Sequence, residues 1–152
     1  MSRASSKMEK LKIKIEQVDK ELPLPRFATK GSVAVDLHSA ETFTLNPGEF
    51  KKVSTGIKLA VPQGYEGQVR PRSGLAANYG VSIVNTPGTL DSDYRGLLFV
   101  LLINHGANYV YIKKGDRIAQ LVINKIELFD WEITENLDKT ERGEQGFGHT
   151  GV

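Results

Sequence analysis

The chain has 152 residues, 39% hydrophobic and 25% charged, with a formal net charge of +2 and no cysteine. This is one domain's worth of ordinary globular sequence, and it excludes a disulfide framework, a thiolate metal site and a cysteine nucleophile. The small charge, with no Lys/Arg run longer than two residues, points to no nucleic-acid partner, and the longest apolar run, Leu97 to Ile103, is far short of the ~20 residues a membrane helix needs, so no membrane is expected either.

Residues 1–10 are polar and serine-rich and read as a disordered start without the apolar stretch of a signal peptide. With the missing cysteines, that start suits a cytoplasmic protein. Leu11, Ile13 and Ile15 alternate with Lys12, Lys14 and Glu16, the period of a half-buried strand. Glu21 to Lys30 carries Pro23 and Pro25 and reads as an extended connector, and Val33, Val35 and Leu37 as another short strand. Turn signals then recur at Asn46-Pro47-Gly48, Pro62-Gln63-Gly64, Thr86-Pro87-Gly88 and Lys113-Lys114-Gly115-Asp116. They bracket strand-like stretches at Phe50–Val61, Tyr65–Arg70 and Val110–Ile112, and a long run from Arg117 to Ile133; Asp91 to Gly96 has hairpin chemistry. Only Leu75 to Tyr79 suggests a helical turn or two. The expectation is an all-β sandwich or barrel over 11–133 with at most one short helix. A polar, then glycine-rich tail follows over 134–152, mobile unless something orders it.

Five segments carry chemistry. In Arg70-Pro71-Arg72-Ser73-Gly74, a guanidinium can fork two donors onto phosphate oxygens and a serine hydroxyl can add a short one; a turn with solvated arginines reads the same. In Asn85–Gly96, Asp91 or Asp93 can orient and deprotonate a water, Tyr94 can floor a sugar, and Asn85 can offer donor and acceptor to an amide-like base edge; a turn capped by aspartates is the plainer reading. Gln120 stands among apolar residues and needs a partner, structural or ligand. In the tail, Arg142 and Thr150 can meet phosphates while Phe147 lies over a flat base, or the segment is an ordinary terminus. Asp36, between apolar neighbours on a short strand, calls for hydrogen bonds or a paired arginine.

In chain order, with the Asp36 segment first, the five segments resemble the five motifs of the trimeric dUTP pyrophosphatases, most clearly at PRSGLA (71–76), LDSDYRG (90–96), GDRIAQL (115–121) and the tail. The resemblance implies a jelly-roll-like β-clip subunit, a homotrimer with active sites at subunit interfaces, and a tail that closes over dUTP. The implied reaction is attack of water on the α-phosphorus, giving dUMP and pyrophosphate with Mg2+ on the triphosphate. That reaction limits uracil in DNA and supplies dUMP for dTMP synthesis.

Carried over by position, Asp91 is the water-activating residue and also meets the deoxyribose 3′-hydroxyl. Tyr94 packs on the sugar, and Asn85 with Gly88, Thr89 and Leu90 forms the uracil-reading hairpin. Arg72, Ser73 and Gly74 bind phosphate, and Gln120 stands near phosphate and water. Arg142, Phe147, Gly148, His149 and Thr150 form the closing motif. Asp36 supports the site rather than binding metal, and Phe99 falls where the family has a residue close to the nucleotide.

Ala34, Val35, Gln145 and His149 depart from the usual motifs; a protonated His149 would add charge near the γ-phosphate, so phosphate affinity is expected to rise as pH falls. The alternatives are a dCTP deaminase of the same fold, which needs a glutamate at the base pocket, and a non-catalytic nucleotide-binding oligomer, which needs a broken catalytic set.

Overall fold

Ten strands and one short helix form among the described residues, which are residues 9–151 of this computed structural model. The strands are β1 (Lys14–Gln17), β2 (Val35–His38), β3 (Phe43–Leu45), β4 (Phe50–Ala60), β5 (Tyr65–Arg70), β6 (Val81–Ile83), β7 (Gly88–Leu90), β8 (Leu97–Asn104), β9 (Val110–Ile112) and β10 (Arg117–Lys125). The helix, α1 (Ser73–Tyr79), lies between β5 and β6 in the chain and ends at Gly80 in the left-handed conformation. One sheet has the order β1-β4-β8-β6, a second β2-β10-β5-β7, and β3 pairs with β9. Every pairing is antiparallel, and the result is a jelly-roll-like all-β subunit. Of the start expected to be disordered, residues 1–8 lie outside the described residues.

Alternation builds the core. In β8, Leu98, Val100, Leu102 and Asn104 are buried while Leu97, Phe99, Leu101 and Ile103 are half-exposed. Leu37, Leu45, Val53, Leu102 and Ile118 meet in the middle, all essentially without solvent contact. The long strand β4 is bent at Gly56, where its register on β8 shifts. Gly56 has φ +71°, its carbonyl accepts the N–H groups of Val18 and Asp19, and a Cβ there would lie 2.7 Å from that of Asp19.

Three expectations need correcting. Asp91–Gly96 is not a hairpin: it carries the chain from β7 in one sheet to β8 in the other. Asn85–Leu90 likewise crosses between sheets, because β6 and β7 share no ladder. The run from Arg117 ends as a strand at Lys125, opposite Tyr65, where the partner strand β5 runs out. Ile126 still donates to the Gly64 carbonyl at 2.9 Å, and beyond it no ladder forms.

Asn104 is the polar knot of the core. Its Nδ2 donates to the carbonyls of Leu45 (3.0 Å) and Asn108 (2.8 Å), and its Oδ1 accepts the Gly106 N–H (2.8 Å). Asn104→Ala leaves these groups unpaired in a dry site. It should lower the unfolding free energy by about 3 kcal/mol, read from urea midpoints at one protein concentration.

Candidate active site

The second sheet carries the chemistry on its outer face. Register sets Gln120 of β10 opposite Asp36 of β2 on one side and Arg70 of β5 on the other. Where β5 leaves the sheet, Arg72 turns back onto β2. Its Nε donates to Asp36 Oδ1 at 3.0 Å and its Nη1 to the Arg117 carbonyl at 3.4 Å, while Arg117 Nη1 reaches Asp36 Oδ2 at 3.4 Å. One carboxylate thus holds two guanidiniums, a cluster with spare positive charge. Gln120 Nε2 donates to the Pro71 carbonyl at 2.8 Å, so its amide is pinned beside the turn that carries Arg72 and Ser73. Gln68, Arg70, Arg72, Ser73 and Gln120 line one cleft of about 430 Å³. Gly74 is open on its Cβ side, with nothing within 4 Å.

A second cleft, of about 950 Å³, opens beyond β7 and is lined by Thr89, Asp91, Asp93, Glu66, Lys12 and Arg95. Arg95 Nη1 ties the turn together through the carbonyls of Ser92 (2.7 Å) and Tyr94 (2.9 Å). Tyr94 Oη donates to the Leu97 carbonyl at 2.8 Å, and the phenol lies so close over Gly96 that a Cβ there would be 2.4 Å from Oη. Gly88 is equally fitted: a Cβ would be 3.3 Å from both Asn85 Nδ2 and Val69 Cβ.

Phe99 lies where β8 has run past its β6 partner. Val84 N–H donates to the Leu101 carbonyl at 2.9 Å, beyond which β6 offers β8 no further partner. By the two-residue period of a strand, the Phe99 N–H and carbonyl point the same way, toward the Asn85–Leu90 loop. The ring itself lies under Lys52, with Nζ 4.2 Å from its centroid.

The two clefts adjoin where Gln68 of one donates to Glu66 of the other, but their Asp91 and Arg72 ends lie apart within one chain. Leu90 is opposite Gly67, which puts Asp91 level with Glu66, and Arg72 follows six positions later on an extended backbone. At ~3.3 Å per residue, the Asp91 and Arg72 ends of β5 are about 20 Å apart. The tail joins neither. Arg142 Nε donates to the Gln145 carbonyl at 2.9 Å, and the backbone N–H groups of Gln145, His149 and Gly151 turn back onto carbonyls three residues earlier. Phe147 is fully exposed at a left-handed φ of 51°, with Gly148, His149 and Thr150 exposed beside it. Arg70, read in the sequence as part of the Arg70–Gly74 cluster but not carried over by position, lines the same cleft as Arg72, and His38 stands on β2, a position that alternation along the strand could have marked.

A family model described as dUTPase matches residues 20–151. The chain belongs to the dUTPase family. It is 55% identical over 140 residues to the deoxyuridine 5'-triphosphate nucleotidohydrolase of Corynebacterium glutamicum, covering 91% of this chain and 94% of that one. It is 49% identical over 144 residues to the protein of that name from Caldanaerobacter subterraneus subsp. tengcongensis, covering 93% and 97%. Among solved structures, the Staphylococcus bacteriophage 80alpha dUTPase with dUPNHPP superposes with a TM-score of 0.85 at 28% identity, covering 93% of this chain and 99% of that one.

In this dUTPase-family subunit, His38 faces Arg117 across the β2–β10 ladder. Burial pushes its imidazole below the ordinary histidine range; Asp36 opposes the shift, and Arg117 and Arg72 add to it. The folded chain therefore holds this proton less tightly than the unfolded one, so stability falls as pH drops below ~6.5. His38→Gln should flatten that part of the pH slope, seen as a smaller change in urea midpoint between pH 7.5 and 5.5; identical slopes would rule this out.

Proposed function

We propose that the chain hydrolyses dUTP to dUMP and pyrophosphate as a homotrimer, with each active site assembled from more than one subunit. The family match supports the reaction, and the observation that carries the shared site is the separation of the Asp91 and Arg72 ends along β5. A water on Asp91 must attack a phosphorus whose neighbouring phosphates lie within a few ångströms, and Arg72 of the same chain is about 20 Å away along the strand. A second copy brings its Arg72 cleft to the Asp91 cleft of the first. The apolar arm after β10 supports association too: Leu128, Phe129, Trp131, Ile133 and Leu137 are 72–97% exposed, more than an isolated subunit leaves in water.

In the reaction, Asp91 accepts a proton from the water whose oxygen attacks the α-phosphorus. The bond from that phosphorus to the α–β bridging oxygen breaks, and pyrophosphate leaves with that oxygen. Arg72, Ser73, Gly74 and Gln120 hold phosphates and water, with Asp36 keeping Arg72 in place. Tyr94, anchored on Leu97, presents its ring to the sugar. Asn85, Gly88, Thr89 and Leu90, with the Phe99 peptide, form the base pocket. Uracil satisfies a peptide N–H and carbonyl; cytosine reverses its donors and acceptors and leaves them unpaired. Arg142, Phe147, Gly148, His149 and Thr150 close over the bound nucleotide from a tail with no docking of its own.

No three His, Asp or Glu side chains converge on a common point among the described residues, and the Arg72 cluster is cationic. A cationic site of this kind fits Mg2+ that would arrive on the triphosphate oxygens and waters and would neutralise charge on the phosphates. The place of action is the cytoplasm. The dCTP deaminase reading is disfavoured because Asn85–Gly96 contains no glutamate, and Glu66 in the same cleft is engaged by Gln68 Nε2 at 2.7 Å.

Pyrophosphate release from dUTP with Mg2+ tests the reaction, and a parent protein without turnover would sink it. Asp91→Asn should lower kcat by ~10²–10⁴-fold without loss of dUTP binding. The shared site has its own test. Asp91→Asn and Arg72→Met homotrimers should both be nearly inactive, yet regain activity when unfolded together and reassembled, because some sites then combine two intact halves. Mixed trimers that stay inactive would rule out the shared site.

A further inference from the structure

Arg70 lines the cleft that holds Arg72, Ser73 and Gln120, yet the resemblance gives it no role. We infer that Arg70 is a further cationic ligand of the substrate's polyphosphate, held in position by Gln68 and Glu66; this rests on the reading of that cleft as the phosphate end.

Three features carry the inference. Arg70 is the direct cross-strand partner of Gln120, so the two side chains stand side by side on the outer face of the sheet. Its guanidinium is pre-oriented: Nε and Nη2 both donate to Gln68 Oε1, at 3.1 and 2.7 Å, and Gln68 Nε2 donates to Glu66 Oε1 at 2.7 Å. This uses two of the five N–H donors and leaves the rest of the fork for a ligand. The third feature is charge. Arg72 and Arg117 share the carboxylate of Asp36, which cancels part of their field. Arg70 is instead held by a neutral amide, and no carboxylate lies within ion-pair distance of it among the described residues. A guanidinium kept half-buried without its own counter-ion, beside two groups assigned to phosphate, is matched to an anion that arrives with the substrate. Gln68 and Glu66 are then positioning residues, which fix the fork without neutralising it.

The test compares binding of the non-hydrolysable α,β-imido analogue of dUTP with binding of dUMP, by calorimetry on the assembled protein with Mg2+. Losing a charge-assisted hydrogen bond to phosphate should make Arg70→Met bind the analogue about tenfold more weakly and dUMP less than about twofold more weakly. Arg70→Lys should recover part of the loss, and KM for dUTP should rise more than kcat falls. Gln68→Ala, which leaves the arginine but frees it, should give a smaller loss of the same selectivity. Arg72→Met is the control for the cleft. If it weakens the analogue while Arg70→Met does not, Arg70 has no phosphate role and the cleft reading stands. If both variants bind the analogue like the parent, the cleft reading itself falls. An equal loss of dUMP and analogue in Arg70→Met would mark Arg70 as structural and overturn the inference. Should Arg70→Met fail to assemble, Arg70→Lys and Gln68→Ala decide by the same selectivity, and its absence in both overturns the inference.

Discussion

The constraint on which the rest depends is the pair of ladders made by β10. This strand lies between β2 and β5, and both registers are fixed at one residue, Gln120. A slip of one position on either side would turn Gln120 or its partner to the other face. The slip is resisted because the inward residues, Ile118, Ala119 and Leu121, are buried against the core with Leu37 and Val69. The hydrophobic effect therefore sets the register, and the register sets the polar row Asp36–Gln120–Arg70. The irregularity between Arg117 and Ala119 lets Arg117 point back to Asp36. Packing below the sheet and charge placement above it are one arrangement, seen from two sides.

The same register explains why the Asp91 and Arg72 ends lie apart in one chain. Antiparallel pairing of β5 with β7 runs the chain from Gly88, opposite Val69, to Leu90, opposite Gly67, and so delivers Asp91 to the start of β5. Arg72 leaves from its end. A rigid strand of fixed rise separates them, and no side-chain motion closes about 20 Å. Association is then a condition of the proposed chemistry and not an addition to it. The exposed arm beyond Lys125, with Phe129 and Trp131 stacked edge-on at 5.1 Å, is left without a ladder because β5 has already run out.

Much of this was legible in the sequence. The turn signals at Gly48, Gly64 and Gly115 marked strand ends, because positive φ acts locally, whereas Leu97–Ile103 is apolar throughout and its alternation shows only in burial. Asp36 was read as needing a partner, and it has two arginines. The turns at Asn85–Leu90 and Asp91–Gly96 read as hairpins because turn chemistry is local, whereas the sheet each flanking strand joins is decided by long-range pairing. The run to Ile133 read as strand because its residues have strand propensity, and propensity does not reveal where the partner strand stops. Arg70 was read only as one of two arginines in a turn cluster, because Arg-Pro-Arg draws attention to the turn; the register puts Arg70 beside Gln120.

The tail poses the last energetic question. Its hydrogen bonds are internal turns, and Phe147 sits fully exposed between two glycines. Ordering such a segment over a ligand costs backbone entropy of roughly 1–2 kcal/mol per residue, which internal turns offset only in part. In the proposed closure, the remainder would come from contacts made only when nucleotide is bound: an aromatic ring on the base and Arg142 on phosphate. A tail docked permanently would seal the site against entry and release. One with no affinity for the bound state would never exclude water from the phosphates. Glycines at 143, 146, 148 and 151 keep the open state flexible, and one aromatic and one cation limit how strongly it closes. On the proposed reading, those few side chains, acting on a loosely held backbone, would let closure follow binding and reverse after pyrophosphate forms.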